Sequence, residues 1–370
     1  MSDRIGVAIL GAGGIARTHA RAYQQFPDAC QLVAVADVFP EEAQAFATEH
    51  GIPVASGDPE AVLSRDDVHL VSVCTPPFEH APLTIAALQA GKHVLCEKPM
   101  AGSLAECDAM IAAARAANRT LAVVFQYRYE ATVQRLKALI DHGKLGRILF
   151  AKLDALWWRG REYYDVWWRG TWEKECGGAT LNHACHHLDV FLYLLGQPTW
   201  VTAITEDYAH GIEVDDYSTA LVRFENGVTG TIVATVAAHH NLDRIEIFGE
   251  RASAARPWEV RAMRSRPQGG GFGLRDSERE QELIAWAEAK VPEPEYQGHA
   301  AEIADLLRCL REGGIPRVPG EEGRRCIELI SGIYLSAATG QPVTLPLGPE
   351  CDFYTREEIL ARAKRHTIQR

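Results

Sequence analysis

The sequence predicts an α/β protein that opens with a doubly wound parallel sheet, and three observations carry this prediction. A short apolar run, Ile5 to Leu10, leads directly into a glycine turn and then a helical pattern. A second apolar run ends in an acid, Asp37, at the spacing that brings it beside that turn. Strand-length and helix-length segments then alternate to about residue 126. Such alternation implies parallel strands covered by helices on both faces, with ligands beyond the carboxyl ends of the strands.

The first turn reads Gly11-Ala12-Gly13-Gly14-Ile15-Ala16, the G-x-G-x-x-A form of a dinucleotide fingerprint. Gly11 permits the tight turn, Gly13 lets the backbone approach a pyrophosphate, and Ala16 keeps the helix close to the strand. The free N–H groups at the helix start suit phosphate oxygens. "QLVAVAD" supplies Asp37 for the ribose hydroxyls, and no Arg or Lys follows in "VFPEEAQAF". A 2′-phosphate would meet an unneutralised carboxylate there, so NAD is expected over NADP. The plainer reading makes Asp37 a cap for the helix starting near Pro40.

The remaining elements of this part are "HLVSVCT", "FEHAPLTIAALQAG", "HVLCEKP", "SLAECDAMIAAARAAN" and "TLAVVFQ". Thr75-Pro76-Pro77 and Glu97-Lys98-Pro99 fall at two strand ends and should face the cofactor. Lys98 is placed where a nicotinamide ring would meet its substrate. By position alone it reads equally as a surface lysine.

Composition bounds the function. The chain has 370 residues, 47% of them apolar and 24% charged, as in ordinary soluble proteins, and its length favours two domains. A net charge of −11 argues against nucleic acid or an anionic membrane as partner. Five arginines with a single Glu259 between Arg251 and Arg266, followed by "PQGGGFG", read as a solvated or oligomer-facing loop. No apolar run reaches membrane-spanning length, and the N-terminus lacks signal-peptide features. Nine cysteines without a Cys-x-x-Cys pair fit reduced thiols in a cytoplasmic protein.

The ordered motifs "GAGGIA", "CTPPFEH", "CEKP" and "GGATLNHACHHLD" resemble the glucose–fructose oxidoreductase/inositol dehydrogenase (Gfo/Idh/MocA) family. The later "VRFENGVTGTI", "IEIFGE" and "GRRCIELISGIYLSAATGQPVTLPL" agree with it. The resemblance implies a Rossmann domain followed by an α/β domain with an open, mostly antiparallel sheet that forms a homodimer or homotetramer interface. The corresponding division is 1–126, 127–348 and a helical tail, 349–370. It implies an active site in the interdomain cleft and a cofactor set of Gly11, Gly13, Gly14, Ile15, Asp37, Thr75, Pro76, His80, Glu97 and Lys98. It makes Lys98 a catalytic residue, with a Lys-Pro bond that is often cis in the family.

"CGGATLNHACHHLDV" carries three histidines in a stretch of helical length. Against the family pattern G-G-G-x-L-x-D-x-G-x-H-x-x-D, matching the last acid to Asp189 selects His186 as acid/base. The same register puts Asn182 at the family's first acid and Cys176 at its first glycine. On one helix, Asn182, His186 and Asp189 would share a face, so Asn182 is expected to orient the His186 ring. His183 and His187 have zinc-like i, i+4 spacing, but no third ligand is evident and no metal is expected. "LWWRGREYYDVWWRGTW" and "AAHHNLD" fall on the substrate side. Substrate contacts are expected from Arg128, Trp158, Arg159, Asp165, Asn182, His186 and His240. The expected activity is hydride transfer between NAD and a secondary alcohol of a sugar, glycoside or inositol. An NAD-dependent glycosidase and a non-catalytic dinucleotide sensor are the alternatives.

Overall fold

The computed structural model describes residues 4–266 and 271–365. Part of the "PQGGGFG" segment and the last residue of "YTREEILARAKRH" lie outside them. The chain begins β1 (Ile5–Leu10), α1 (Gly14–Tyr23), β2 (Cys30–Ala36), α2 (Pro40–His50), β3 (Val54–Ser56) and α3 (Pro59–Leu63). It continues β4 (Leu70–Val73), α4 (His80–Gln89), β5 (His93–Cys96), α5 (Leu104–Ala117) and β6 (Leu121–Val123). The six strands form one parallel sheet in the order β3-β2-β1-β4-β5-β6. Order reverses beside β1, the switch point where the strand ends open a crevice. Val7 to Leu10 and Leu70 to Val73 are buried, as strands covered on both faces must be.

The second part comprises α6 (Ala131–Asp141), β7 (Ile148–Trp158), α7 (Ala179–Asn182), α8 (Cys185–Leu195), β8 (Pro198–Glu206), β9 (Tyr217–Phe224) and β10 (Thr229–Thr235). There follow β11 (Ala237–Gly249), β12 (Ser253–Arg256), β13 (Glu259–Arg261), β14 (Met263–Arg264) and β15 (Leu274–Arg275). The chain closes with α9 (Ser277–Lys290), α10 (Gly298–Glu312), α11 (Gly320–Thr339), β16 (Val343–Thr344) and α12 (Arg356–Arg362). Eight strands form a mixed sheet, β13-β12-β11-β7-β10-β9-β8-β16, antiparallel throughout except for β7 with β10. On β7, Ala151, Leu153 and Ala155 point into the core while Phe150 and Lys152 stay outside, the period-2 alternation of a one-sided sheet. Phe150 stacks on Phe248 across that outer face.

The arginine-rich stretch is not a loop. It forms β12 to β14, where Arg256 makes a two-bonded pair with Glu130 and Arg261 pairs with Glu259, while Arg251, Arg264 and Arg266 are exposed as a solvated stretch would have them. The late helices return to the first sheet. Ile303, Leu306 and Leu307 of α10 join Val7, Leu70, Leu95 and Val124 in one cluster. Pro319, just before α11, bridges Ala122 of β6. The capping box expected at Thr355 and Glu358 is present at the start of α12. Among the described residues no helix is long and apolar enough to cross a membrane.

Candidate active site

A cavity of about 700 Å³ opens beyond the carboxyl ends of β1, β2, β4 and β5 and is closed by the segment after β7. Gly11 (φ +100°) is required there, since a Cβ would sit 2.6 Å from the Cys74 carbonyl oxygen. At Gly13 and Gly14 a Cβ would meet nothing within 4 Å, so bare backbone faces open space in the cavity wall. α1 starts with no side-chain cap and no acid in its first turn, leaving its N–H groups for an anion. Asp37 is pinned by the Ala12 N–H to Oδ2 (2.8 Å) and the Phe39 N–H to Oδ1 (3.0 Å). The Thr75 hydroxyl, in the same wall, is buried without a partner among the described residues. Backbone room, a free helix end, an anchored carboxylate and an orphaned hydroxyl together fit a dinucleotide.

Ile15, Pro76, Glu97, Lys98 and Asn182 also line this cavity. His80 does not. Its Nδ1 lies 2.7 Å from the Pro99 carbonyl and its Nε2 2.8 Å from that of Thr75, so it ties the two strand-end loops together from behind. Burial holds its pKa below the ordinary imidazole value. Lys98 precedes a cis peptide to Pro99, and its Nζ donates to the Asn182 carbonyl at the end of α7 (3.0 Å). Beneath it, Glu97 Oε1 is 2.9 Å from His19 Nε2, and Glu97 Oε2 accepts the Lys98 N–H.

The three histidines do not occupy one helix. α7 ends at Asn182, His183 and Ala184 form a turn, and α8 starts at Cys185. The preceding backbone is constrained by Gly178, where a Cβ would lie 1.9 Å from the Asp215 carbonyl oxygen. Asn182 does not orient His186. Its Nδ2 donates to the carbonyls of Glu175 (3.2 Å) and Gly177 (2.7 Å), bracing the loop instead. The His186 ring is set by aromatic neighbours, Tyr127 at 4.9 Å and Phe125 at 6.0 Å between centroids, and its Nδ1 is sealed with no partner among the described residues. Burial first, and the Lys98 charge second, push its pKa well below the ordinary imidazole value. His183 packs on Trp157 and Tyr163, while His187 Nε2 lies 3.3 Å from Asp243.

Several expected substrate contacts lie elsewhere. Arg128 is 2% exposed, and its Nε and Nη2 bond Asp189 (2.7 and 2.6 Å) while Nη2 also bonds Glu322 (2.6 Å). It braces the segment after β6 against α8 and α11 and does not line the cleft cavity. Trp158 is 49% exposed at the end of β7, Asp165 is exposed after a 3₁₀ turn, and His240 is exposed where β11 loses register with β7. None of the three lines the cavity. Arg159 stands one layer back, over the rings of Trp157 and Tyr163. The wall is made instead by Tyr163, Trp167, Trp168 and Arg169 from the same segment, with Phe78 meeting Trp167 edge-on across the cleft. The segment's composition pointed to this region, but its irregular loop carries no period to say which aromatic turns inward.

Comparison with known proteins gives the same outline. Residues 5–125 match the oxidoreductase family with an NAD-binding Rossmann fold, and residues 133–255 match the GFO/IDH/MocA C-terminal domain. Levoglucosan dehydrogenase of Pseudarthrobacter phenanthrenivorans is 30% identical over 292 residues, 70% of this chain and 75% of that protein. Inositol 2-dehydrogenase of Rhizobium meliloti is 27% identical, covering 93% and 100%. The WlbA dehydrogenase of Bordetella pertussis, solved with NADH and UDP-GlcNAcA, superposes with a TM-score of 0.80 at 31% identity, covering 93% and 100%. A Rossmann sheet, a mixed second sheet and a cleft that fits a dinucleotide, matched along both halves, place this chain in the Gfo/Idh/MocA family of NAD-binding oxidoreductases.

Proposed function

We propose that the protein is an NAD-dependent dehydrogenase that moves a hydride between nicotinamide and a secondary alcohol carbon of a sugar, glycoside or inositol. The observation that carries this is Lys98 at the junction of dinucleotide cleft and second-part wall, tethered to Asn182. NAD, when bound along Gly11 to Asp37, supplies the two-electron acceptor. The Lys98 ammonium bonds and polarises the reacting oxygen. His186, held neutral by burial and by the Lys98 charge, takes the hydroxyl proton through Nε2, its Nδ1 being sealed, from behind the residues that line the cavity. Support for the His186 register comes from Cys176, which stands at the family's first glycine and adopts φ +67°, the region that favours glycine. Relatives named as dehydrogenases of levoglucosan, D-apiose and inositol point to the same substrate classes.

Asp37 without a neighbouring base favours NAD over NADP. The half-exposed Phe150, Ile204 and Leu221 on the second sheet support a homodimer or homotetramer. Nine free cysteines, eight of them buried, suit a cytoplasmic setting. The division at 126 and 348 belongs to the same reading.

The test is NADH absorbance with NAD and a panel of polyols, sugars and glycosides. Turnover is expected, with His186→Ala lowering kcat by roughly 10²–10⁴-fold and leaving NAD affinity unchanged. No turnover across the panel defeats the proposal. Loss in His187→Ala with retention in His186→Ala moves the proton-transfer role to His187.

A further inference from the structure

The cavity wall holds an arginine that hydride transfer does not require. Lys98 has a part in the chemistry; Arg169, in the wall, and Arg159, behind it, do not. Arg169 lines the cavity with its guanidinium between the rings of Tyr163 (3.7 Å) and Trp168 (4.1 Å), its side chain 18% exposed. Only Nη1 is engaged, by the Tyr163 hydroxyl and by Glu175 Oε1 at 3.2 Å. Among the described residues, Nε and Nη2 have no partner. That is the same edge with which Arg128 grips Asp189.

Arg159 lies on the Tyr163 ring as well, and among the described residues it pairs with no carboxylate. His183 sits among these groups, and after burial the charges of Lys98, Arg159 and Arg169 are what push its pKa down. The carboxylate that bonds Arg169 is Glu175. Its Oε2 is already taken by the Gly170 N–H (2.6 Å), and burial raises its pKa to about 7, so near neutral pH it offsets only part of one charge. Arg169 therefore lines the cavity with only part of its charge offset by Glu175, and Arg159 stands one layer behind it. A planar guanidinium held rigid between rings, with its two-donor edge free, matches two oxygens of a carboxylate or phosphate.

We propose that the substrate carries an oxyanion, a carboxylate or a phosphate, and that the Nε–Nη2 edge of Arg169 binds it, with Arg159 adding to the field. This rests on the dehydrogenase reading above and narrows its substrate class to acidic sugars.

The test compares NAD-dependent turnover of uronates and aldonates, of sugar phosphates, and of their neutral parents, at low and high salt. At least one acidic class should exceed its neutral parent in kcat/KM by about ten- to a hundredfold, the worth of one charge-assisted bidentate contact. Salt should reduce that ratio, Arg169→Gln should bring it near one, and Arg169→Lys should leave part of it. The carboxylate and phosphate arms identify which oxyanion is used. Neutral sugars turned over as well as acidic ones, or a preference that survives Arg169→Gln, overturns the inference while leaving the dehydrogenase reading intact. If no sugar is turned over, calorimetric binding of D-glucuronate and D-glucose 6-phosphate to the NADH-saturated protein decides it. Salt-sensitive binding absent from Arg169→Gln upholds the site, and no binding rejects it. If Arg169→Gln does not fold, the salt dependence of the unaltered protein decides the matter.

Discussion

Arg128→Met separates a bracing role from a substrate-binding one. Arg128 and Asp189 are both buried, joined by bonds of 2.7 and 2.6 Å. Even with the guanidinium in place, burial pushes the Asp189 pKa up to about 6 from its ordinary 3.8. Without its partner the carboxylate would be uncompensated, a loss of about 3–5 kcal/mol. It has one escape, protonation, which at pH 7 costs about 1.4 kcal/mol at 1.36 kcal/mol per pH unit above the folded value of about 6. That escape sets the loss at the lower figure, and about 3 kcal/mol on a chain of 370 residues lowers Tm by about 4 °C. The deficit should shrink toward pH 5, because the folded variant then binds a proton that the unfolded chain also begins to hold. Arg128→Met with Asp189→Leu should recover most of the loss, as apolar replacement of a whole buried pair is close to neutral. Thermal unfolding at pH 5 and pH 8, with KM for the best sugar, is the assay. A Tm within 2 °C of the parent alongside a tenfold rise in KM would return Arg128 to the substrate site.

Glu175 gives a pH signature of its own. Its folded pKa, about 7, lies above the ordinary 4.5, so its contribution is fully present below pH 4.5 and is lost as pH rises through 7. The share is about 3 kcal/mol, and Glu175→Gln should flatten the fall in stability between pH 5 and pH 8; an unchanged slope in urea unfolding refutes this. Asn182→Asp should lower stability by about 2–4 kcal/mol, since a carboxylate oxygen would face the carbonyls of Glu175 and Gly177. An unaltered Tm with the kcat–pH profile moved upward would mean that Asn182 orients His186 after all.

Local chemistry was readable, and long-range partnership was not. β1, β2, β4, β5 and β6 stood out as apolar runs because parallel strands are buried on both faces. β3, three partly exposed residues, offers no such run. The glycine turn and Asp37 were visible because fixed spacing along the chain carries their geometry. The face shared by Asn182 and His186 was drawn on an unbroken helix, and the turn at His183-Ala184 removes it. Arg128 could be read either as facing the cleft or as bracing it, because Asp189 and Glu322 lie far along the chain. The arginines near 256 looked like loop charge for the same reason, with Glu130 well upstream.

The return of α10 to the first sheet sets an order on biosynthesis. Ile303, Leu306 and Leu307 complete a cluster that includes Val7, Leu70, Leu95 and Val124 from the early part of the chain. A ribosome adding about 5–20 residues per second leaves roughly 10–40 s between the emergence of Val124 and of Leu307. For that interval one face of the nucleotide-binding sheet lacks its last cover, and the nascent chain carries an apolar strip until its far end arrives. The half that binds the dinucleotide is translated first and sealed late.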